Sequence, residues 1–442
     1  MAFENVSETA QEENAAPRGP AHPVQFDFSP PVNLGHWEPF LGGQPFDAFA
    51  EMRAAAPVCW HPEEEGLGAG FWALTAYKDV RQVELATAEF SSQKGGILIN
   101  YGQPETRHPL LHRASLDTMI CLDQPYHLPL RREHMAFFKP AYIAELKARV
   151  DTQVASLLDG MAAKGPVLDM VEHFSAELPL FTLCEILGVA PADRPKLVKW
   201  MHFLEVAGHT MAAGDAVDPA FFGAFVQNVL EMFEFGKHEL LARRKAPRDD
   251  LLSAIANAEI DGAPLSDEFL DGSWLLIVFA GNDTTRNSLS GTLRLLTQFP
   301  DEKAKLIAQP ELISNMVHEA IRMVSPVIYM RRTATQETEL RGQPIAAGEK
   351  VVMYYGAANR DPDVFPEPDR FDVTRANAKA HLAFGLGPHV CLGQRVANMQ
   401  LESAYRQILS RFPDIHWTGV QEIAPNNFVH AISKLEVDLG TA

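Results

Sequence analysis

The chain has 442 residues, of which 46% are hydrophobic and 21% charged, so it holds enough apolar material for a sizeable core. Its 57 acidic residues outnumber its 38 basic ones, and the formal net charge of −19 argues against non-specific binding to nucleic acid or anionic lipid. No segment approaches the roughly 18–20 consecutive apolar residues of a membrane span, and the acidic N-terminus is unlike a signal peptide. The composition predicts a cytoplasmic protein with no membrane anchor and no nucleic-acid partner.

Helical periodicity dominates the chain after a polar start. Residues 1–24 are rich in Glu, Ala, Pro and Gln and are expected to form a disordered tail, whereas residues 25–442 contain no linker and are expected to form one domain. Strands are expected in GFWALTAY, residues 70–77, and in KVVMYY, residues 350–355. Apolar residues at helical spacing predict helices at residues 45–55, 142–161, 176–187 and 221–243. The fold class is therefore mainly α with small β-sheets.

The longest predicted helix spans residues 266–298, where a serine can cap the first turn and a proline follows the last. Residues 274–280 are almost all apolar, so this part should be buried. Polar residues then begin abruptly, in GNDTTR. A buried helix that breaks local rules is a candidate functional site, and an acid beside an alcohol, Asp283 beside Thr284, can relay protons into an apolar pocket. The alternative is a helix that emerges into solvent.

The segment FGLGPHVCLG, residues 384–393, surrounds Cys391 with glycines, a proline and a histidine. A helical pattern starts after Gly393, and a helix N-terminus stabilises a thiolate. A zinc site would need about three further ligands, of which His389 is the only close one, and a cysteine nucleophile would need a partner histidine. A single thiolate ligand to haem iron needs no second cysteine. These alternatives, and a buried structural cysteine, stay open on these residues alone.

Five motifs, in order along the chain, resemble those of one family. FGLGPHVCLG resembles the haem-binding signature of the cytochrome P450 family, Phe-Gly-x-Gly-x-His-x-Cys-x-Gly, at every specified position. AGNDTT (280–285) resembles the family's oxygen-activating helix motif, and HLPLR (127–131) is similar to the element that meets a haem propionate. EAIR (319–322) resembles its Glu-x-x-Arg pair, and PDRF (368–371) the segment with a second arginine. The resemblance implies a cytochrome P450 fold, with haem b between the long central helix and the helix after the cysteine loop.

The resemblance assigns Cys391 as the thiolate ligand of the haem iron. A thiolate pushes electron density toward the iron and favours O–O cleavage. Further residues are implied to contact the cofactor, the basic ones through charge-assisted hydrogen bonds to its propionates: His127, Arg131, Arg332, His389, Phe384, Gly387 and Ala280. Two positions depart from the family's common pattern: Val390, where many relatives carry a polar or basic residue, and Asn398, where many bacterial members have arginine.

The same resemblance assigns roles away from the cysteine. Asp283 and Thr284 are implied to deliver protons during oxygen activation, and they are the expected catalytic residues. Glu319 and Arg322 are expected to pair with Arg370 and to stabilise the cysteine loop, which is a structural role.

The implied activity is that of a monooxygenase, which hydroxylates an unactivated C–H bond with O2 and two electrons. The electrons are expected from a ferredoxin and its reductase, with NAD(P)H as the ultimate donor, and the enzyme is expected to be a monomer. Two alternatives are a peroxide-driven or non-oxygenating haem-thiolate protein and a haem-free thiol or zinc protein. Basic residues on the cysteine-side face are expected to steer an acidic ferredoxin: Arg132, Lys139, Arg375, Lys379 and Arg395.

The substrate is expected to be a lipophilic small molecule. GFWALTAY with SSQKGG, together with GNDTTRN, is similar to the bacterial branch that oxidises steroid side chains, acyclic terpenoids and alkyl chains. A terpenoid, steroid or fatty-chain substrate follows from that likeness. The pocket is expected to be lined by apolar segments: residues 97–99, 203–222, 277–280 and 326–328, with Phe428 and Val429.

Overall fold

α-Helices are the main secondary structure of the described chain. The computed structural model describes residues 29–62, 70–99, 109–201, 203 and 219–440, so the expected tail at 1–24 and most of the expected pocket segment 203–222 lie outside it. No helix within the described ranges has both the length and the apolar character needed to cross a membrane. The main helices are α1 (Phe46–Ala55), α2 (Tyr77–Leu85), α3 (Pro109–Leu116), α4 (His127–Phe137), α5 (Pro140–Lys164), α6 (Glu177–Leu187), α7 (Pro219–Lys245), α8 (Leu251–Ala256), α9 (Asp267–Ala280), α10 (Asp283–Gln298), α11 (Pro300–Ala308), α12 (Ile313–Val324), α13 (Tyr355–Ala358) and α14 (Gln394–Arg411).

The β-strands form small sheets beside the helices. The largest has five strands in the order β1-β2-β10-β7-β3, and all its neighbours are antiparallel except the parallel pair β2 and β10. In its register Val351 lies opposite Arg332, which places that arginine on a strand paired on both sides. The strands are β1 (Val58–His61), β2 (Phe71–Leu74), β3 (Phe90–Ser91), β4 (Val167–Asp169), β5 (Glu259–Ile260), β6 (Ala263–Pro264), β7 (Tyr329–Ala334), β8 (Thr338–Leu340), β9 (Gln343–Ile345), β10 (Lys350–Tyr354), β11 (His416–Ile423) and β12 (Ile432–Asp438).

The main hydrophobic core lies among the helices, and α12 illustrates why they pack. Five of its buried apolar residues stand at positions 313, 316, 317, 320 and 321, which is the spacing of one helix face, and Met323 is buried as well. That face packs against α10 and α14. Burying each of the Ile, Met and Val side chains of this face contributes about 1.5–3 kcal/mol. Two smaller apolar clusters include residues of the five-stranded sheet, so the sheet and the helix bundle have separate cores.

Periodicity predicted most of these elements correctly. The helices expected at 45–55, 142–161, 176–187 and 221–243 are confirmed as α1, α5, α6 and α7, and the two expected strands are confirmed as β2 and β10. The helix after Gly393 is confirmed as α14. The predicted class, mainly α with small sheets, is therefore the observed one.

The prediction of one unbroken helix over residues 266–298 is wrong. Ser266 does cap α9 with its side chain, but the helix is interrupted at residues 281–282 and resumes as α10. Gly281 lies within the interruption, and a glycine weakens a helix by about 1 kcal/mol relative to alanine. The hydroxyl of Thr284 bonds across the interruption to the carbonyl of Ala280, over 3.1 Å.

A cluster of buried charges lies near the C-terminal end of α12. The carboxylate of Glu319 accepts hydrogen bonds from Arg322, at 2.8 Å from Nε and 2.9 Å from Nη2. It also accepts one from Arg375 Nε, at 2.9 Å. The side chains of Glu319 and Arg322 are fully buried. Removing either partner of such a pair leaves an uncompensated buried charge, so the loss of one partner destabilises the fold.

The prediction that Arg370 completes this cluster is wrong, because Arg375 takes that place. The side chain of Arg370 is 51% exposed and pairs with Glu367. Its backbone carbonyl, not its guanidinium, joins the cluster by accepting a hydrogen bond of 2.9 Å from Arg375 Nη2. Arg375 is buried, so its expected position among the exposed basic residues is wrong as well.

The cluster also anchors the chain that leads into the cysteine segment. Arg322 Nη1 donates to the carbonyl of Asn359 over 2.7 Å. The side-chain oxygen of Asn359 in turn accepts a hydrogen bond from the backbone N–H of Leu382, also over 2.7 Å. This relay ties α12 to the residues just before Phe384, so the start of the cysteine segment is held by buried hydrogen bonds.

Candidate active site

The cysteine segment folds back on itself. The backbone N–H of Cys391 donates to the carbonyl of Phe384 over 2.8 Å. Gly385 and Gly387 have φ angles of 69° and 70°, a backbone conformation that residues other than glycine rarely adopt. A Cβ on Gly385 would also lie 3.2 Å from the carboxylate of Glu84. The glycines are therefore needed for the turn that positions Cys391.

Cys391 differs from the other cysteines, all of which the structure describes. Cys59, Cys121 and Cys184 are buried, whereas Cys391 has accessible surface. Burial raises the pKa of the Cys59 thiol to about 11.

Burial also has the largest influence on Cys391 and raises the pKa of its thiol. The neighbours of Cys391 at 384–390 and 392–394 are only partly exposed. The accessible thiol therefore lies in a recess and not on the outer surface. Three groups oppose the effect of burial: the backbone N–H groups of Gly393 and Gln394, and the charge of Arg131. These donors at the start of α14 are those expected to stabilise a thiolate.

Basic side chains from separate elements meet beside Cys391. Arg131 of α4 is buried, and its Nη2 donates to the carbonyl of Val390 over 2.6 Å. The rings of His127 and His389 stack with their centroids 4.1 Å apart. Burial, followed by the charge of Arg332, lowers the pKa of His389 to about 2. The structure thus groups the cysteine with the four basic residues predicted from sequence.

When Nε2 of His389 accepts from the Ser92 hydroxyl and Nδ1 carries the proton, two hydrogen-bond donors in this group lack an acceptor among the described residues. They are Nδ1 of His389 and Nε of Arg332, both of which are buried. The other nitrogens of Arg332 are engaged, Nη1 with the carbonyl of Arg331 at 3.1 Å and Nη2 with Glu84 at 3.0 Å. A buried polar atom without a partner costs about 1–3 kcal/mol, so these two donors indicate a place for an anionic ligand.

The remaining predicted site residues form a second group at the interruption between α9 and α10. Ala280 is exposed at the end of a largely buried helix, and Thr284 is partly exposed one turn later. Asp283 lies 3.5 Å from Arg286 of the same helix and accepts a hydrogen bond from the side chain of Asn282 over 3.2 Å. The acid and the alcohol therefore lie where a buried helix opens to accessible space.

Glu84 is a residue of this site that sequence reasoning missed. It lies on α2 with 1% exposure, and it binds both Arg332 and the hydroxyl of Tyr355. The available signal was its position beside Val80 and Val83, which lie on the same face of α2 and are buried. A carboxylate on an apolar helix face is rarely buried without a partner.

The chain matches known proteins along most of its length. Residues 222–433 match the family model described as Cytochrome P450. The chain is 36% identical over 408 residues to a linalool 8-monooxygenase of Pseudomonas putida, which covers 89% of this chain and 95% of that protein. It is 34% identical over 398 residues to a methyl-branched lipid omega-hydroxylase of Mycobacterium bovis, covering 88% and 90%. A Mycobacterium marinum cytochrome P450 in complex with pseudoionone matches with a TM-score of 0.82 and 32% identity, covering 95% of this chain and 99% of that one.

The chain belongs to the cytochrome P450 family. It is a cytochrome P450 monooxygenase with the fold of that family, as the motifs predicted. Cytochromes P450 bind haem b with a thiolate ligand to the iron, so the cofactor expected from sequence is confirmed. Within the described ranges no group of three or more His, Cys, Asp or Glu side chains could hold a metal ion, which leaves the zinc alternative without support there.

The residues around Cys391 fit a haem. The two propionates of a haem are acceptors of the kind that His389 Nδ1 and Arg332 Nε lack. The accessible thiol of Cys391 lies at a helix N-terminus beside those donors. This cytochrome P450 therefore has, in one place, a thiol that could ligate the iron and donors that could bind the propionates.

Proposed function

We propose that Cys391 supplies the thiolate ligand of the haem and that the enzyme hydroxylates an unactivated C–H bond of a lipophilic small molecule. The observation that supports this most is the pairing of one accessible cysteine with two buried donors that lack acceptors. When bound, the haem supplies the activation of dioxygen, with two electrons delivered from outside the chain. The thiolate favours cleavage of the O–O bond.

The protein's own residues hold the cofactor. His127, Arg131, Arg332 and His389 bind the propionates, and the two donors without acceptors give the clearest support for the last two. Phe384 and Gly387 pack beside the ligand loop, where the turn leaves no room for larger residues at the glycine. The propionates then neutralise a group of buried basic residues.

Ala280 would contact the bound haem, beside the helix interruption. Its exposure at the end of an otherwise buried helix supports this placement. The small side chain leaves space for dioxygen and for the substrate.

Thr284 and Asp283 deliver protons at the reaction centre. The Thr284 hydroxyl bonds to the Ala280 carbonyl, which holds the alcohol at the interruption. Asp283 is held by Arg286 through an ion pair. A donor positioned in this way can pass a proton inward and recover one from the acid.

The substitution Thr284→Ala tests this role. We expect NADH consumption to continue while hydrogen peroxide is released instead of product, because the proton no longer arrives at the right place. The matched control is Thr292→Ala on the same helix, whose hydroxyl also bonds to a carbonyl four residues earlier, at 2.6 Å. An unchanged yield of product per NADH in Thr284→Ala would overturn the assignment.

The lipophilic substrate is supported by apolar segments that meet beside the five-stranded sheet. The backbone N–H of Ile328 donates to the carbonyl of Phe428 over 2.8 Å, and Val327 bridges Val429. The N–H of Ile99 donates to the Tyr329 hydroxyl, at 3.2 Å. Three of the predicted pocket segments are therefore neighbours, and a mostly apolar lining suits an apolar ligand.

The relatives narrow the chemical class further. Linalool is an acyclic terpenoid alcohol, and the second relative is named for a methyl-branched lipid. We therefore favour a terpenoid or fatty-chain substrate, with a steroid side chain as a third option from the sequence likeness. The test is a panel of terpenoids, fatty acids, steroids and small polar compounds, each titrated while the haem absorption spectrum is recorded. Shifts with polar compounds alone would contradict the lipophilic pocket.

A ferredoxin, reduced in turn by its reductase with NAD(P)H, supplies the electrons. Four of the predicted docking residues are exposed, as a steering surface requires: Arg132, Lys139, Lys379 and Arg395. Reversing the charge of Arg132 and Arg395 to Glu slows electron transfer from an acidic ferredoxin, measured by stopped flow at low salt. Lys164→Glu, at the end of α5, is the control. Equal rates in the control and the double variant would contradict this docking face.

A further inference from the structure

The buried carboxylate of Glu84 is paired with Arg332. Glu84 is 1% exposed, and its Oε2 lies 3.0 Å from Arg332 Nη2. Its Oε1 accepts a hydrogen bond from the hydroxyl of Tyr355, which is itself buried. Burial raises the pKa of Tyr355 well above its usual value, and Glu84 raises it further, so the hydroxyl stays protonated and donates. Both oxygens of Glu84 are thus engaged by buried donors.

Glu84 determines which edge of Arg332 is available to a ligand. The guanidinium is fixed at two points, by Glu84 at Nη2 and by the carbonyl of Arg331 at Nη1. Because the guanidinium is planar and rigid, two such contacts set its orientation. The nitrogen left without an acceptor is Nε, so this edge is the one presented to a propionate.

Glu84 also touches the segment that carries the cysteine. A Cβ on Gly385 would lie 3.2 Å from Glu84 Oε1, and a Cβ on Gly387 would lie 3.2 Å from the Glu84 carbonyl. The end of α2 therefore packs directly against the glycine turn. A negative charge at this place is close to the ligand loop and is poorly screened, because the surroundings are buried.

We propose that Glu84 is a positioning residue that aims Arg332 at a haem propionate and that its charge lowers the reduction potential of the haem iron. The inference rests on the proposed haem site. A buried negative charge opposes the arrival of an electron at a nearby centre, and it offsets the positive charge of Arg332, which favours that arrival. The family motifs do not include Glu84, and its role follows from the contacts of α2.

The test of the charge is Glu84→Gln in the haem-loaded enzyme. Glutamine keeps an acceptor for Arg332 and removes the charge, so the midpoint potential, measured by spectroelectrochemical titration, is expected to rise. Glu337→Gln, which removes an exposed carboxylate, is the matched control and leaves the potential unchanged. If Glu84 has only a structural role, its variant unfolds at a lower temperature with an unchanged potential, and the proposal fails.

The test of positioning is the double variant Glu84→Met with Tyr355→Phe, which also covers the case in which Glu84→Gln does not fold. It removes the carboxylate together with the hydroxyl that would be left unpaired. Arg332 then loses one of its two fixed contacts and is held less firmly toward the propionate. Transfer of haem to an acceptor protein is therefore expected to be about tenfold faster. The midpoint potential is expected to rise as in the single variant. Equal haem transfer and an unchanged potential would overturn the proposal.

The spectrum of the reduced carbon monoxide complex separates this inference from the proposed site. A wild-type band without the red shift of a thiolate ligand contradicts the assignment of Cys391. A red-shifted band together with an unchanged potential in Glu84→Gln contradicts the role of Glu84 alone.

Discussion

Two groups of buried charges lie close to the cysteine segment, and they differ in how completely their donors are used. Around Glu319, each nitrogen of Arg322 and Arg375 donates to a carboxylate or a carbonyl. Around Cys391, His389 and Arg332 each keep a buried nitrogen without an acceptor. Both groups contain arginines held by a buried glutamate, so composition alone does not distinguish them.

The difference separates a structural cluster from a binding site. A buried donor without a partner costs about 1–3 kcal/mol, and a bound ligand that supplies an acceptor removes that cost. The cluster around Glu319 has every arginine nitrogen paired and needs no ligand. Disrupting it should therefore affect folding whether or not haem is present. In the group around Cys391, all buried nitrogens should have a hydrogen-bond partner only when the haem is bound.

The largest expected effect is on the free energy of unfolding, and it comes from the cluster around Glu319. Arg375→Met leaves Glu319 with one partner fewer, and we expect the free energy of unfolding to fall by about 3–5 kcal/mol. Arg370→Met is the matched control, because that side chain is exposed and pairs with Glu367; its effect should stay within about 0.5 kcal/mol. Urea denaturation of both variants measures the difference. Equal losses would show that Arg375 is not the second arginine of the cluster.

The glycine turn gives the next largest effect. Gly385→Ala forces a Cβ into a left-handed backbone conformation, and we expect a loss of about 1–2 kcal/mol with reduced haem content. Gly160→Ala on α5 is the control, because a Cβ there meets no atom within 4 Å and alanine favours a helix by up to about 1 kcal/mol. The two substitutions should change the thermal midpoint in opposite directions. A neutral Gly385→Ala would contradict the constrained turn.

The smallest effect concerns pH. Burial lowers the pKa of His389 to about 2, so without haem the folded chain keeps this ring neutral between that pH and 6.5, whereas the unfolded chain takes up a proton. Stability of the haem-free chain should therefore fall as the pH drops below 6.5, with His389 contributing about 1 kcal/mol between pH 6.5 and 5.5. His389→Gln should remove this contribution from the pH dependence of unfolding. If the pH dependence of the free energy of unfolding is the same in His389→Gln as in the wild type, His389 takes up a proton in the folded chain as well.

The two groups also show what a sequence can predict. Cys391, His389 and the glycines between them lie within one segment, and the local pattern was enough to identify them. Arg131 and Arg332 come from distant elements, and only the family motif or the folded chain brings them to the cysteine.

The errors have physical causes. Arg370 and Arg375 lie five positions apart in a segment without periodicity, so nothing in the sequence tells which one turns inward. The central helix is interrupted at residues 281–282 only, and helical periodicity, which is read over several turns, is insensitive to a break of two residues. Glu84 was missed because its partners, Arg332 and Tyr355, are some 250 residues away in the chain.

The central claim is that Cys391 is the thiolate ligand, and the spectrum of the reduced carbon monoxide complex tests it most directly. The wild type and Cys184→Ala, which changes a buried cysteine, should both give the red-shifted band of a thiolate-ligated haem. Cys391→His should bind haem and give the unshifted band of histidine ligation. A red-shifted band that survives in Cys391→His would mean that another residue ligates the iron, and the account of this site would be wrong.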